Sequence, residues 1–295
     1  LFRSTLHSKQ NRPSEIPFAL FPLFRKFESD PDPKRFLKAA QNIRIQTGQR
    51  DKIVRGFLFG GRYWTKLMQV FEERGVPKEL TRLPLVESTF DLSARSKVGA
   101  SGVWQFMRST GKRFLRIDRG IDERNDPITA SWAAAELLKQ NYEALESWPL
   151  AITAYNHGRE GMARAARQVG SKDLVDIIQK YTSRSFGFAS SNFYSEFLAI
   201  LEVEREYREH FGTLMVDSPV EYEEVTLGNS VPFAKLATQC GVGSDELALL
   251  NPAFTSSTLS GQLPVPAAYR VKVPPGKRTA CETRNPKAEK TEENT

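Results

Sequence analysis

The chain has 295 residues, with 42 Lys and Arg against 35 Asp and Glu, a formal charge of +7 and a pI near 9.4. That length holds one substantial core and a smaller second domain, and no window approaches the ~18 consecutive apolar residues of a membrane-spanning helix. The positive balance suits a polyanionic partner, but Lys and Arg are spread along the chain and no zinc-finger or other nucleic-acid signature occurs, which argues against nucleic acid.

Residues 1–45 contain Pro13, Pro17, Pro22, Pro31 and Pro33 and are expected to be irregular or extended. The apolar Ile16, Phe18, Leu20, Phe21, Leu23 and Phe24 suggest that this segment wraps and docks on a core. From Pro33 the spacing turns helical: Phe36, Leu37, Ala40 and Ile43 share one face, and Trp64, Leu67, Met68 and Phe71 another, with breaks at Gly48 and Gly60-Gly61. Val76-Pro77 opens a helix in which Leu80 and Leu83 share a face and Pro84 is expected to introduce a kink. Further helices are expected at 109–115, 127–145, 149–156, 161–169, 174–181 and 193–211. Alternating strands are scarce, so residues 46–211 read as a mainly α domain.

After Phe211 the texture changes. Residues 225–231 read as a strand and turn, 232–240 and 244–250 as two short helices, and 270–273 as a returning strand, a β-α-α-β order spanning a second domain at 220–281. The last segment, 282–295, is rich in Lys, Glu, Asn and Thr and is expected to be disordered. The two cysteines, Cys240 and Cys281, both fall in the C-terminal region, either as separate thiols or as a disulfide in an oxidising compartment. The three histidines, His7, His157 and His210, are too scattered for a zinc site, and no cofactor is expected. The start at Leu1-Phe-Arg shows no signal-peptide pattern, so any targeting segment is expected to have been removed.

One acidic residue stands out. Glu87 lies in Leu83-Pro-Leu-Val-Glu-Ser-Thr-Phe90, among Leu83, Leu85, Val86 and Phe90. A carboxyl among apolar groups has a raised pKa, which suits a proton donor at neutral pH. Two polar-aromatic blocks follow, Gly102-Val-Trp-Gln-Phe-Met107 and Ala154-Tyr-Asn156. The ordered set resembles the Glu-Ser, Gly-Leu-Met-Gln and Ala-Tyr-Asn motifs of the lytic transglycosylases and goose-type lysozymes that cut bacterial peptidoglycan, and looks most like the membrane-bound murein transglycosylase D type. Residues 94–102, 122–127 and 186–194 extend the likeness, which covers about 46–204 and, more weakly, 225–274.

The resemblance implies a lysozyme-like (goose-type) helical catalytic domain followed by a LysM-like glycan-binding domain, acting as a monomer on peptidoglycan strands in the periplasm or cell envelope. It implies that Glu87 is the general acid and then base. Without a second acid, the 2-acetamido group of the muramic sugar assists and the 6-hydroxyl closes a 1,6-anhydro ring. A hydrolytic lysozyme and a non-catalytic wall-binding protein are the alternatives. Ser88, Trp104, Gln105, Met107, Tyr155 and Asn156 are the implied substrate-binding residues. For Trp104, sugar stacking and core packing are equally open; Asn156 is expected to steady the turn into His157-Gly158, and His157 to sit at the rim. Asp91, the nearest acid in sequence, is expected to cap Leu92-Ser93. Aligning 190–194 with the corresponding run of other transglycosylases puts Ala189 where an acid is frequent and Phe193 where tyrosine is, with Glu160 as a spatial substitute.

Overall fold

The computed structural model describes residues 13–41 and 48–282. They fall into two compact units, Leu1–Gln49 and Arg50–Thr295. In the first, helical turns at Pro13–Glu15 and Phe18–Leu20 lead into α1 (Phe21–Arg25) and α2 (Arg35–Gln41). Prolines do not abolish helix here, because Pro22 sits in the first turn of α1, where no amide donor is needed. Ile16, Phe24 and Phe36 pack on one another, so part of the apolar content is satisfied within the unit. Residues 283–295, expected to be disordered, lie outside the described residues.

The second unit opens with α3 (Arg50–Gly60) and α4 (Trp64–Glu73). The helix expected from Val76 is a 3-10 stretch, Lys78–Arg82, followed by α5 (Leu83–Ser88). Pro84 therefore starts a helix instead of kinking one, for the same first-turn reason. A loop carries the chain to the short α6 (Arg108–Gly111), which stops before the expected 115. Then come α7 (Pro127–Leu145), α8 (Trp148–His157), α9 (Arg159–Val169), α10 (Leu174–Lys180), α11 (Phe188–Arg205) and α12 (Tyr207–Phe211). Asp126 caps α7, accepting from the amides of Ile128 and Thr129, with Pro127 in the first turn. α11 begins five residues ahead of its expected start at Phe193.

The main core joins α3, α4, α5, α7 and α11 through Phe57, Leu67, Phe71, Leu83, Leu85, Leu138 and Phe197. Leu145, Leu150, Met162 and Ile177 form a second cluster among α7, α8, α9 and α10. The described part of the chain is thus mainly helical, as its periodicity required.

The C-terminal region has the expected β-α-α-β order. β1 (Glu223–Thr226) pairs antiparallel with β2 (Arg270–Val273), Val225 opposite Val271. Between them lie α13 (Phe233–Cys240), α14 (Ser244–Leu250) and the short α15 (Ser256–Leu259). A final turn, α16 (Arg278–Cys281), brings Cys281 to Cys240 in a disulfide. Asn251 fastens the end of α14 to β2: its amide donates to Leu247 O and Lys272 O and accepts from Lys272 N.

This small core is sewn to the helical one. Ile121, from the loop after α6, is fully buried among Val225, Phe233, Phe254 and Val271. The Asp122 amide donates to Ala253 O at 2.7 Å, and the Thr255 amide and Thr258 hydroxyl both donate to Gly120 O. Lys272 of β2 forms a buried ion pair with Asp126, the cap of α7. The connection between the two regions is also pinned, with the Asp217 and Val220 amides bonded to Leu58 O and Arg62 O and the Asp217 carboxylate paired with Arg62.

Candidate active site

Glu87 lies in the last turn of α5, where three neighbouring elements hold it. α3 approaches closely because residue 56 is glycine: a Cβ there would lie 2.5 Å from Thr89 O and 2.8 Å from the Leu85 side chain. α11 packs on α5 from another side, and Arg82, just before α5, grips Glu204 of α11 with its Nε 2.8 Å from both carboxylate oxygens. The third is the loop over residues 102–106. Ser88 Oγ donates to Val103 O at 2.9 Å and to Pro84 O, so the hydroxyl ties α5 to that loop from the C-terminal end of the helix and is no N-terminal cap.

The chain leaves α5 through two successive left-handed residues, Thr89 (φ 51°) and Phe90 (φ 58°), and Gln105 (φ 47°) is a third. Non-glycine residues rarely adopt this region, and such strain persists only where packing over-determines it. Phe90 is locked by the Tyr63 and Trp64 rings, at 5.7 and 4.7 Å between centroids. The 102–106 turn needs Gly102 (φ 77°), whose Cβ would fall 1.8 Å from Arg124 O. Arg124 is itself buried and donates to Gly99 O and Phe106 O while pairing with Asp122. Burial alone would raise the Asp122 pKa, but the Arg124 hydrogen bond and charge outweigh it and hold that carboxyl below its ordinary range.

Glu87 is half-buried, and its carboxyl makes no hydrogen bond or ion pair among the described residues. Burial, with a smaller contribution from the negative charge of Glu196, raises its pKa from 4.5 to about 8. Glu196, on α11, also has a raised pKa through burial. Sequence spacing could not find this second carboxylate: it is 109 positions from Glu87, on a helix whose register against α5 is a tertiary fact. Asp91, the acid near in sequence, is exposed, and its Oδ1 accepts from the Ser93 amide (2.9 Å) and hydroxyl (2.7 Å), a local turn of the kind its position suggested.

The remaining candidates divide by what they touch. Trp104 has no exposed surface, stacks on Phe71 at 5.6 Å and donates its indole N–H to Ser131 Oγ, so core packing is its role and sugar stacking is closed to it. Its contribution is the backbone: Trp104 O accepts from the Tyr155 hydroxyl at 2.9 Å. Tyr155 titrates well above its ordinary range, first through burial and then through the nearby Glu87 charge, which places it beside the acid and keeps its hydroxyl protonated. Gln105 spends its amide nitrogen on Gly102 O and Ala94 O, bracing the loop that was expected to receive sugar, and leaves its Oε1 without a partner among the described residues. Met107 is 40% exposed at the start of α6.

Asn156 does not steady the His157-Gly158 turn; its Oδ1 accepts from Ser190 Oγ, which joins α8 to the start of α11. His157 stacks edge-on against Phe186 and reaches the same Ser190 hydroxyl. Phe193 is buried in the main core, and Glu160 is 78% exposed, paired with Arg159 at 3.6 Å. No cluster of three His, Cys, Asp or Glu able to hold a metal ion occurs among the described residues.

The site thus consists of a carboxyl with a raised pKa, the Tyr155 hydroxyl beside it and the glycine-turned 102–106 loop held against α5. Residues 67–178 match the family model of the Transglycosylase SLT domain, so the site described above lies largely inside a segment with that family's signature. Two relatives, each a membrane-bound lytic murein transglycosylase D, from Escherichia coli strains K12 and O6:H1 (CFT073), are 27% identical to the chain over 205 residues, 68% of this chain and 44% of theirs. A putative tributyltin chloride resistance protein of Alteromonas sp. strain M-1 is 34% identical over 116 residues, 39% of this chain and 56% of that protein. The chain spans less than half the length of the first two relatives. The resemblance to the lytic transglycosylases carried by the three motif blocks therefore holds.

Proposed function

We propose that the chain cleaves the β-1,4 bond between N-acetylmuramic acid and N-acetylglucosamine in peptidoglycan. Glu87 protonates the leaving glycosidic oxygen and then, as carboxylate, takes the proton of the incoming hydroxyl. The observation that carries this reading is the Glu87 carboxyl itself: half-buried, without a cationic partner, and with a pKa near 8 it still holds its proton at neutral pH.

Among the described residues the carboxylate whose charge reaches Glu87 is Glu196, and no hydrogen bond fixes it in place, which favours assistance by the substrate. The 2-acetamido carbonyl attacks the anomeric carbon, and the muramic 6-hydroxyl then displaces it to leave a 1,6-anhydro end. Intramolecular attack of this kind has a large entropic advantage over attack by water. Glu196 favours a second reading, in which it activates water and the outcome is that of a hydrolytic lysozyme, since two-carboxylate glycosidases pair an acid with such a base. Mass spectrometry of released muropeptides decides between them, because the anhydro product is one water lighter.

The β-α-α-β region resembles a LysM domain, and on that resemblance residues 220–281 are assigned to glycan binding, with 46–211 as the catalytic domain. The relatives' names include membrane-bound murein enzymes, which supports an envelope location; among the described residues no helix is long and apolar enough to cross a membrane.

A further inference from the structure

The segment Asp122-Glu-Arg-Asn-Asp126 packs against the loop over residues 99–106. Arg124 is 5% exposed, and its Nη1 donates to Gly99 O at 2.9 Å and to Phe106 O at 3.0 Å, so one nitrogen holds the two ends of the loop together. Ser101 Oγ donates to Asn125 Oδ1 at 2.7 Å, and the Arg124 carbonyl occupies the space that a side chain at Gly102 would need. The same loop receives, on Val103 O and Trp104 O, the hydroxyls of Ser88, which follows Glu87 in the chain, and of Tyr155, which feels the Glu87 charge.

Asp122 orients the guanidinium through two parallel bonds, Nε to Oδ1 at 2.9 Å and Nη2 to Oδ2 at 2.7 Å. That fork matches arginine and not lysine. Asp122 is in turn held by the C-terminal region. Its amide donates to Ala253 O at 2.7 Å, Ile121 bridges Phe254, and Gly120 O accepts from the Thr255 amide and the Thr258 hydroxyl. At the other end of the segment Asp126 pairs with the buried Lys272. The segment is thus clamped to the C-terminal region on both sides of Arg124.

We propose that Arg124 is a positioning residue for the loop beside Glu87, and that the C-terminal region sets its place: residues 253–258 fix Asp122, Asp122 orients Arg124, and Arg124 holds the 99–106 loop against the acid. The C-terminal region then contributes to turnover itself, separately from any attachment to the wall. A buried arginine serving only the core needs its carboxylate; here two further donors go to carbonyls at the two ends of one loop, and an ammonium has neither the reach nor the directions to serve all three groups. The consequence for rate is large, since displacing a catalytic group by about 1 Å can cost roughly 100-fold. The kinetic side of the proposal rests on the glycan reading above; the structural side does not.

The test uses the full chain, with circular dichroism and a melting curve setting a temperature at which each variant is folded. Arg124→Lys keeps a charge beside Asp122 but cannot span both carbonyls. Its kcat on soluble glycan strands is expected to fall by roughly tenfold to a hundredfold with little change in KM. A carbon-13 titration of the Glu87 carboxyl, assigned by its loss in Glu87→Gln, should move to lower pH, because a loosened loop admits water to the acid. A folded Arg124→Lys with unchanged kcat and an unchanged Glu87 titration overturns the proposal, even where its melting temperature falls. Where that variant does not fold, Asp122→Asn with Arg124→Gln, which leaves neither charge unpaired, is held to the same outcomes. The link to the C-terminal region is read from Thr258→Val, whose lost hydroxyl reaches Gly120 O and no atom of the loop or the acid. Smaller shifts in the same two directions are expected, and the kcat losses of Thr258→Val and Arg124→Lys should combine to less than their product; full independence, or no effect of Thr258→Val, overturns the coupling. If the unsubstituted protein releases no muropeptide, the glycan reading fails, and the Glu87 titration alone decides the proposal.

Discussion

At the residue scale the acid and its neighbours set the pH behaviour. If Glu87 is the general acid proposed above, it must be protonated to act, and turnover is expected to fall as pH rises through about 8. Glu196→Gln removes a negative charge that helps hold the proton, so the alkaline limb should move to lower pH; a limb that does not move shows that the two carboxylates are uncoupled. Glu87→Gln should abolish muropeptide release while keeping the fold. It should also stabilise: the folded pKa lies above the ordinary 4.5, so the folded protein keeps a proton that the unfolded chain releases, and stability drains away as pH rises from about 4.5 to about 8. The glutamine has no such burden, and its gain should be near zero at pH 4 and on the order of 2 kcal/mol at pH 8, after discounting for partial exposure. Thermal melts at both pH values measure this, and an equal shift at each would contradict it. Asp91→Asn should keep near-normal turnover, because asparagine can accept the same Ser93 bonds.

At the element scale the site depends on α5 being pinned from three sides. Arg82 and Glu204 hold α11 on α5, Ser88 holds the 102–106 loop, and Gly56 lets α3 come close. Gly102→Ala combines a disfavoured φ with a clash against Arg124 O, and is expected to inactivate the protein and cost more than about 1 kcal/mol of stability, as strained left-handed positions do. Urea unfolding together with an activity assay checks both. Loss of stability with full activity would mean that the loop does not set the geometry of the acid. The helices themselves were legible: α7 matches its expected span because Asp126-Pro127 marks its start and its apolar residues repeat at helical spacing. The stretch before Glu87 was not, because Pro84 reads equally as a kink or as a first-turn residue, and only the 3-10 turn ahead of it settles which.

At the scale of the whole molecule, the C-terminal region is more than a tether. Ile121 reaches into its core, and Lys272 neutralises the buried Asp126 that caps α7. Truncation after Val220 leaves that carboxylate without its cation, and losing one partner of a buried pair costs about 3–5 kcal/mol. The truncated chain should therefore melt well below the full one and lose activity on soluble fragments as well as on insoluble wall. A truncation that melts with the full chain and loses only wall attachment would restore the picture of an independent module. Reduction of Cys240–Cys281 is expected to destabilise by about 2–4 kcal/mol, seen as a lower melting temperature with dithiothreitol.

The sequence by itself determined the helical class and the order of the C-terminal elements, and it singled out Glu87 as the candidate acid, because helical periodicity, turn residues and a carboxyl set among apolar neighbours are local properties of the chain. Tertiary structure alone decided what the polar residues do. Trp104 and Asn156 looked like sugar contacts or turn residues, yet one is sealed against Phe71 and Ser131 and the other is spent on Ser190, 34 positions away. Glu196 gave no signal in spacing at all. It meets Glu87 because α11 lies across α5, and such packing arises from the mutual burial of distant apolar faces, which no local pattern encodes.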